Sequence, residues 1–155
     1  MKKFFGKYIL SYAHKLIKVY WFFRRPNVSG SKVLVVHDGK MLLIRQNYGN
    51  KELWNLPGGG HKKGESYEET AIRETFEEVG VRPTSVFFLG DEHVKEDYLN
   101  VHIHYYVFEV SGSEFVIDQL EINEARWFKI SEGKKENYHM YTNRVIDLYD
   151  KHKNS

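Results

Sequence analysis

The segment from Gly59 to Val81 constrains this chain more than any other: it reads GGHKKGESYEETAIRETFEEVGV. Leu56-Pro57-Gly58-Gly59-Gly60 cannot propagate a helix, and its glycines permit positive φ and a close approach of backbone to a ligand. Ser66 followed three residues later by Glu69 has the pattern of a capping box, so the spacing predicts a helix beginning near Tyr67. Gly80 suits the residue that closes the last turn, and Pro83 blocks continuation. The chain must therefore build a glycine loop that runs straight into a helix of about 13 residues, an ordinary globular length.

At roughly 100° per residue, Glu74, Glu77 and Glu78 fall within a wedge about 100° wide. Ile72, Phe76 and Val79 group on the opposite side and are expected to face the core. Carboxylates crowded on one face repel one another, so a merely solvated helix gains nothing from this arrangement. A hard divalent cation with a preference for oxygen resolves the repulsion, with Mg²⁺ first and Mn²⁺ next. Arg73 stands one turn before Glu77, the spacing of an i, i+4 pair that would orient that carboxylate. Acidic helices are common on protein surfaces; the upstream glycines and Glu65 are what tilt this one toward metal.

Gly59, Glu65, Arg73, Glu74, Glu77, Glu78 and Gly80 together follow the spacing G-x5-E-x7-R-E-U-x-E-E-x-G-U, where U is a bulky apolar residue. Background composition would produce those identities with a probability on the order of 10⁻⁹ to 10⁻⁸ per start position. The pattern resembles the signature of the Nudix hydrolases, and the order of elements around it extends the resemblance to roughly residues 29–150. One position departs: Thr75 stands at the first U, on the flank of the expected core face, which bears on packing rather than chemistry.

The resemblance implies an α/β/α sandwich, with a mixed sheet between helices. It also implies water attack on phosphorus in a nucleoside diphosphate linked to another group. Carried over by motif position, Glu74, Glu77 and Glu78 would bind the metal. The carbonyl of Gly58 or Gly59 would be a further ligand, Glu65 a supporting acid and Arg73 an orienting residue. An isomerase of prenyl diphosphates on the same fold is disfavoured, because that resemblance includes a catalytic cysteine and this chain has none.

At 155 residues the chain has the length of one domain, and 41% hydrophobic with 15% aromatic content argues for a folded globule. The lack of cysteine excludes disulfides and thiolate zinc sites and fits a reducing cytoplasm. A net charge of +2 hides an asymmetry: residues 1–37 carry eight Lys/Arg and no acid, leaving the remainder at −6. Phe5, Ile9, Tyr12, Leu16, Tyr20 and Phe23 recur at helical spacing opposite a lysine face. Residues 1–27 are therefore expected to form a basic amphipathic helix ahead of a catalytic domain at 28–155. Residues 3–25 would dock on the domain or on a second subunit, lie on an anionic membrane surface, or act as a transit-like segment.

Elsewhere, Lys32–His37 and Lys40–Gln46 read as strands joined by Asp38-Gly39, a type I′ hairpin signal. Leu53–Pro57 reads as a short strand and turn, Val86–Leu89, Asn100–Val110 and Arg126–Ile130 as strands, and Asn143–Lys151 as a helix. The second of those strands, apolar on both alternations, is expected to lie centrally. Glu121, or else Glu124, is placed where related enzymes supply a further acid from a loop, as a metal ligand or general base. Arg45, Lys62 and Arg126 are candidate phosphate contacts. Tyr98 is a candidate base-stacking residue by its distance beyond the motif; Tyr48 and Trp54 could also stack, although packing suits them better. His102 and His104 share one face of their strand, where an ordinary sheet surface is the simpler reading and metal chelation the alternative. The function expected is hydrolysis of a nucleotide-derived small molecule, with an RNA 5′-end pyrophosphohydrolase and a non-catalytic nucleotide sensor as alternatives.

Overall fold

A computed structural model describes residues 27–96 and 99–154. The amphipathic segment ending at Arg25 and the candidate Tyr98 lie outside the described residues. The elements run β1 (Asn27–His37), β2 (Lys40–Gln46), α1 (Tyr67–Val79), β3 (Ser85–Glu96), β4 (Leu99–Glu109), β5 (Ile122–Lys129), a 3₁₀ turn (Ile130–Glu132) and α2 (Met140–Lys153). The five strands form one sheet in the order β3-β4-β1-β2-β5. β1 and β4 pair in parallel at its centre and every other pair is antiparallel. No helix among the described residues is long and apolar enough to cross a membrane.

Local chemistry explains most of these elements. Asp38 and Gly39 both take positive φ (47° and 69°), which gives the I′ turn between β1 and β2 the twist its strands need. α1 starts where its capping box places it, with Ser66 and Glu69 exchanging side-chain to backbone bonds, and ends on Gly80 in the left-handed region at φ 70°. β4 is central, as its two-sided apolar pattern requires. Its Val101, Ile103, Tyr105 and Val107 pack with Tyr141, Val145, Ile146 and Tyr149 of α2 on one face of the sheet. Tyr106 and Phe108 pack on the other face with Ala71 and Val79 of α1.

The differences from expectation lie at polar ends. β3 continues through a bulge at Leu89 to Glu96, because β4 supplies backbone partners that a run of Asp, Glu, His and Lys could not announce by itself. β5 begins at Ile122 rather than Arg126, pairing with Arg45 and Gln46 of β2. α2 begins three residues before Asn143, capped by the His139 side chain. The expected strand at Leu53–Pro57 is reduced to single bridges, Asn55 to Ile44 and Trp54 to Tyr138.

The larger correction concerns the core face of α1. The buried residues are Thr70, Ala71, Thr75, Glu78 and Val79. Phe76, expected inside, is 42% exposed, with the Arg82 guanidinium 4.0 Å from its ring centre. The helix is turned about its axis so that Glu78 meets the glycine loop. The small residues Thr70, Ala71 and Thr75 let it lie close to the sheet in that orientation. Thr75 is thus wholly buried rather than on a flank, and its hydroxyl has no hydrogen-bond partner.

Candidate active site

The glycine loop is laid along β1 like an added strand. The N–H of Val33 donates to Pro57 O (2.9 Å), that of Ser31 to Gly59 O (3.0 Å), and that of His61 to Ser29 O (2.9 Å). Two glycines make the approach feasible. Gly58 sits at φ +127°, and a β-carbon there would overlap the Ser31 carbonyl; a β-carbon on Gly59 would overlap the Glu74 carboxylate. Beneath the loop, Lys32 Nζ donates to the carbonyls of Leu56 (3.3 Å) and Gly58 (3.1 Å). The carbonyls proposed from motif position as ligands therefore each already accept one protein bond, and each retains a second lone pair.

The acids of α1 and of the loop before it divide into two groups. Glu78, 3% exposed, accepts the Gly58 N–H at 2.7 Å. Burial pushes its carboxyl up to about 7 and the charges of Glu74 and Glu121 add to the shift, while Lys32 and the Gly58 N–H oppose it. Glu65 behaves oppositely: the hydrogen bonds of Arg73 hold it down at about 2. Arg73 is the organiser of this side. Its Nε and Nη2 reach Glu65 at 2.6 and 3.0 Å, its Nη1 reaches Glu74 at 2.6 Å, and Nη2 also donates to Gly60 O at 3.2 Å. The expected i, i+4 contact to Glu77 exists but is the longest of its carboxylate bonds, at 3.3 Å. A thread of bonds from Glu65 through the Thr70 hydroxyl (2.9 Å) to His61 (3.1 Å) fixes the outer side of the loop.

Glu121 joins the acids from the loop before β5. Burial raises its carboxyl and the charges of Asp118, Glu74 and Glu77 raise it further. That loop is clamped from two sides. Asp118 N–H donates to Glu78 O (3.0 Å), Asn47 N–H donates to Glu121 O (2.7 Å), and the Asn47 amide donates to the carbonyls of Gln119 and Leu120. Glu124, the alternative acid, is ion-paired with Arg45 (3.4 Å) and Arg126 (2.5 Å), away from this cluster. Arg45 and Arg126 also lie over the Trp54 ring, at 4.5 and 5.5 Å. Both candidate phosphate contacts thus have protein partners, and Trp54 is a core residue at 3% exposure. Lys62 is exposed on the loop.

Sequence reasoning missed Lys32, Ser31 and Asn47. Their signal was slight: a lysine directly before the Val-Leu-Val-Val run of β1, and polar residues at strand ends. Tyr48 proves closer to the chemistry than its packing role suggested. Burial raises its hydroxyl, and the charges of Glu78, Glu121 and Glu74 follow as causes. Tyr48, Lys32 and Gly59 line a cleft of about 540 Å³ whose apolar wall includes Val101, Ile103 and Tyr141. That size suits a nucleotide-scale ligand. The acids beside it offer oxygen donors only, their charges act on one another, and one buried carboxyl is displaced toward neutrality. Such a set fits a hard divalent cation.

The fold and site define a mixed α/β sandwich carrying a glycine loop and an acid-bearing helix at one edge of its cleft. Residues 26–149 match the NUDIX domain, and the chain belongs to that family. Nudix enzymes generally use divalent metals. The chain is 37% identical to MutT4 of Mycobacterium tuberculosis over 95 residues, 59% of this chain and 38% of that one. It is 30% identical to the human nucleoside diphosphate-linked moiety X motif 6 over 125 residues, 77% of this chain and 37% of that one. Among solved structures, the MutT protein of Methanosarcina mazei superposes with a TM-score of 0.73 at 21% identity, covering 84% of this chain and 98% of that one. The chain spans between 32% and 42% of the length of the first curated relatives it matches.

Proposed function

We propose that this chain hydrolyses a pyrophosphate bond in a nucleoside diphosphate linked to another moiety, by attack of water on phosphorus. The observation that carries the reading is the convergence of Glu74, Glu77, Glu78 and Glu121 beside a nucleotide-sized cleft, with Glu78 buried against the glycine loop. Glu74, Glu77 and Glu78 would hold the divalent cation, Mg²⁺ or Mn²⁺, with a loop carbonyl of Gly58 or Gly59. A cation held by these residues would supply neutralisation of the phosphate oxygens and a lowered pKa for the attacking water. The chain's own groups do the rest. Arg73 fixes Glu74 and Glu65, and Lys32 shapes the loop and places positive charge beneath it. Glu121, whose carboxyl is raised, stands ready to accept the water's proton. What remains is positioning and electrostatics, as phosphoryl transfer requires.

Turnover of a panel with Mg²⁺ tests this: nucleoside triphosphates, a dinucleoside polyphosphate, a nucleotide sugar, ADP-ribose and a 5′-triphosphorylated RNA. Glu77 is half-exposed, so Glu77→Gln should fold normally and lower turnover on the order of 10³-fold. Undiminished turnover in that variant would sink the assignment. Binding of a panel member without turnover in Mg²⁺ or Mn²⁺ would favour the sensor reading.

A second reading has one observation in its favour. The NudC protein of Pseudomonas putida, 30% identical over 109 residues, is named an NAD-capped RNA hydrolase, so a capped RNA 5′ end belongs on the same panel. A basic N-terminal segment would then contact the RNA backbone, and that contact would weaken with salt.

A further inference from the structure

A second group of ligand-type side chains, distinct from the acids of α1, lies on β3 and β4 beside the first residue of that helix. On β3 and β4, Asp91 is in register with His104 and His93 with His102. Residues two apart on a strand share a face, and directly paired residues share it across strands. Asp91, His93, His102 and His104 therefore occupy the four corners of one cross-strand rectangle. One ligand atom each from Asp91, His102 and His104 lie within 4.8 Å of one another. His102 Nε2 is 2.6 Å from Asp91 Oδ2, and the His93 ring stacks on His102 at 3.8 Å.

The third corner carries an independent sign. His104 is pressed flat against Tyr67, the first residue of α1, with ring centres 3.5 Å apart, and its Nδ1 is buried with no well-formed hydrogen bond, the Gly30 backbone being the polar group that approaches the ring. A buried imidazole nitrogen left unpaired is costly unless something fills it.

We infer that Asp91, His102 and His104 form a binding site for one borderline divalent cation of the Zn²⁺ class, separate from the carboxylate cluster. Two imidazoles and a carboxylate are the donors such an ion selects, whereas Mg²⁺ selects the all-oxygen set of α1. Atoms now within 4.8 Å of one another would draw in to a shell of about 2.0–2.2 Å radius around the ion. The fourth position falls to water or to His93. Asp91 is exposed and His102 partly so, which leaves the ion a path in from solvent. Because His104 carries Tyr67, an ion here would fasten β3 and β4 to the start of the helix that bears the acids.

The test is Zn²⁺ binding by the full chain under saturating Mg²⁺, which occupies the oxygen site, read by competition with a chromogenic chelator and by melting temperature. The wild type should take up one Zn²⁺ per chain and melt higher with it. Asp91→Asn, which preserves shape, and His102→Ala should each weaken that uptake by at least about tenfold and abolish the Zn²⁺-induced rise in Tm. Both variants should melt like the wild type in the absence of Zn²⁺, so that a folding defect is distinguished from a lost ligand. Glu77→Gln should keep the uptake. Equal Zn²⁺ affinity in wild type, Asp91→Asn and His102→Ala would overturn the site, as would loss of the uptake in Glu77→Gln.

Discussion

The two helices dock on opposite faces of one sheet by opposite means. α2 presents Tyr141, Val145, Ile146 and Tyr149 to the core formed by Leu34, Leu43, Tyr105 and Val107. α1 presents Thr70, Ala71, Thr75, Glu78 and Val79, so that two hydroxyls and a carboxyl lie where aliphatic side chains would serve packing better. One helix is shaped by burial of apolar surface. The other is shaped by a requirement to bring a carboxylate against the glycine loop, and packing is fitted around that. The comparison implies that changes on α2 should register in stability and changes on α1 in chemistry. It also implies that some changes on α1 should stabilise the protein.

The largest stability effect is expected on α2. Ile146 is 2% exposed and surrounded by apolar neighbours, so Ile146→Ala removes buried methylenes and leaves a cavity. A loss of about 2–5 kcal/mol in urea or thermal unfolding is expected. If residual folded protein retains its turnover per molecule, the separation of the two faces stands. A parallel fall in activity per folded molecule would break it.

Glu78 should give the next effect, with a sign that depends on pH. Its folded carboxyl lies near 7, above the ordinary value of 4.5 that applies when unfolded. The stability linked to this group is therefore fully present below pH 4.5 and is lost as pH rises through 7. For the metal-free protein the loss amounts to about 3 kcal/mol by neutral pH. Glu78→Gln should remove this part of the slope, while Mg²⁺ should restore wild-type stability at pH 7 by binding the ionised form. A metal-free wild type and Glu78→Gln with parallel profiles from pH 4.5 to 8 would show that Glu78 is not held neutral. At Glu65 the sign reverses: a carboxyl held near 2 by Arg73 favours the fold above 4.5 and ceases to do so as pH falls toward 2.

The same contrast explains what could be read from the sequence. Turn and cap signals act locally, so Asp38-Gly39, the Ser66/Glu69 box and Gly80 could be placed to the residue. The acid motif was legible because its spacing serves one local purpose. The orientation of α1 was not, because periodicity weighs hydrophobicity and so assigned Phe76 to the core. It cannot see that the partner of this helix is a loop amide requiring Glu78. Lys32 and Asn47 were missed for a related reason: each matters through backbone carbonyls supplied by segments distant in sequence. The long polar half of β3 was invisible because its cohesion comes from pairing with β4.

Thr75 supplies the smallest and sharpest test. It is wholly buried on α1, and its hydroxyl has neither protein partner nor access to solvent. In the motif it stands where a bulky apolar residue is usual, and on a helix selected for packing the hydroxyl would only be a defect. Thr75→Val keeps the volume and replaces the unpaired hydroxyl with a methyl, so the desolvation penalty disappears without a new cavity. A gain of about 1 kcal/mol is expected, seen as a higher Tm, because valine's lower comfort in a helix is small beside a buried orphan. If α1 were a packing helix like α2, threonine would have found a partner in its core and the change would destabilise. A measured loss of stability in Thr75→Val would therefore show that the hydroxyl is held after all, and that α1 is less subordinate to its carboxylate than its buried face indicates.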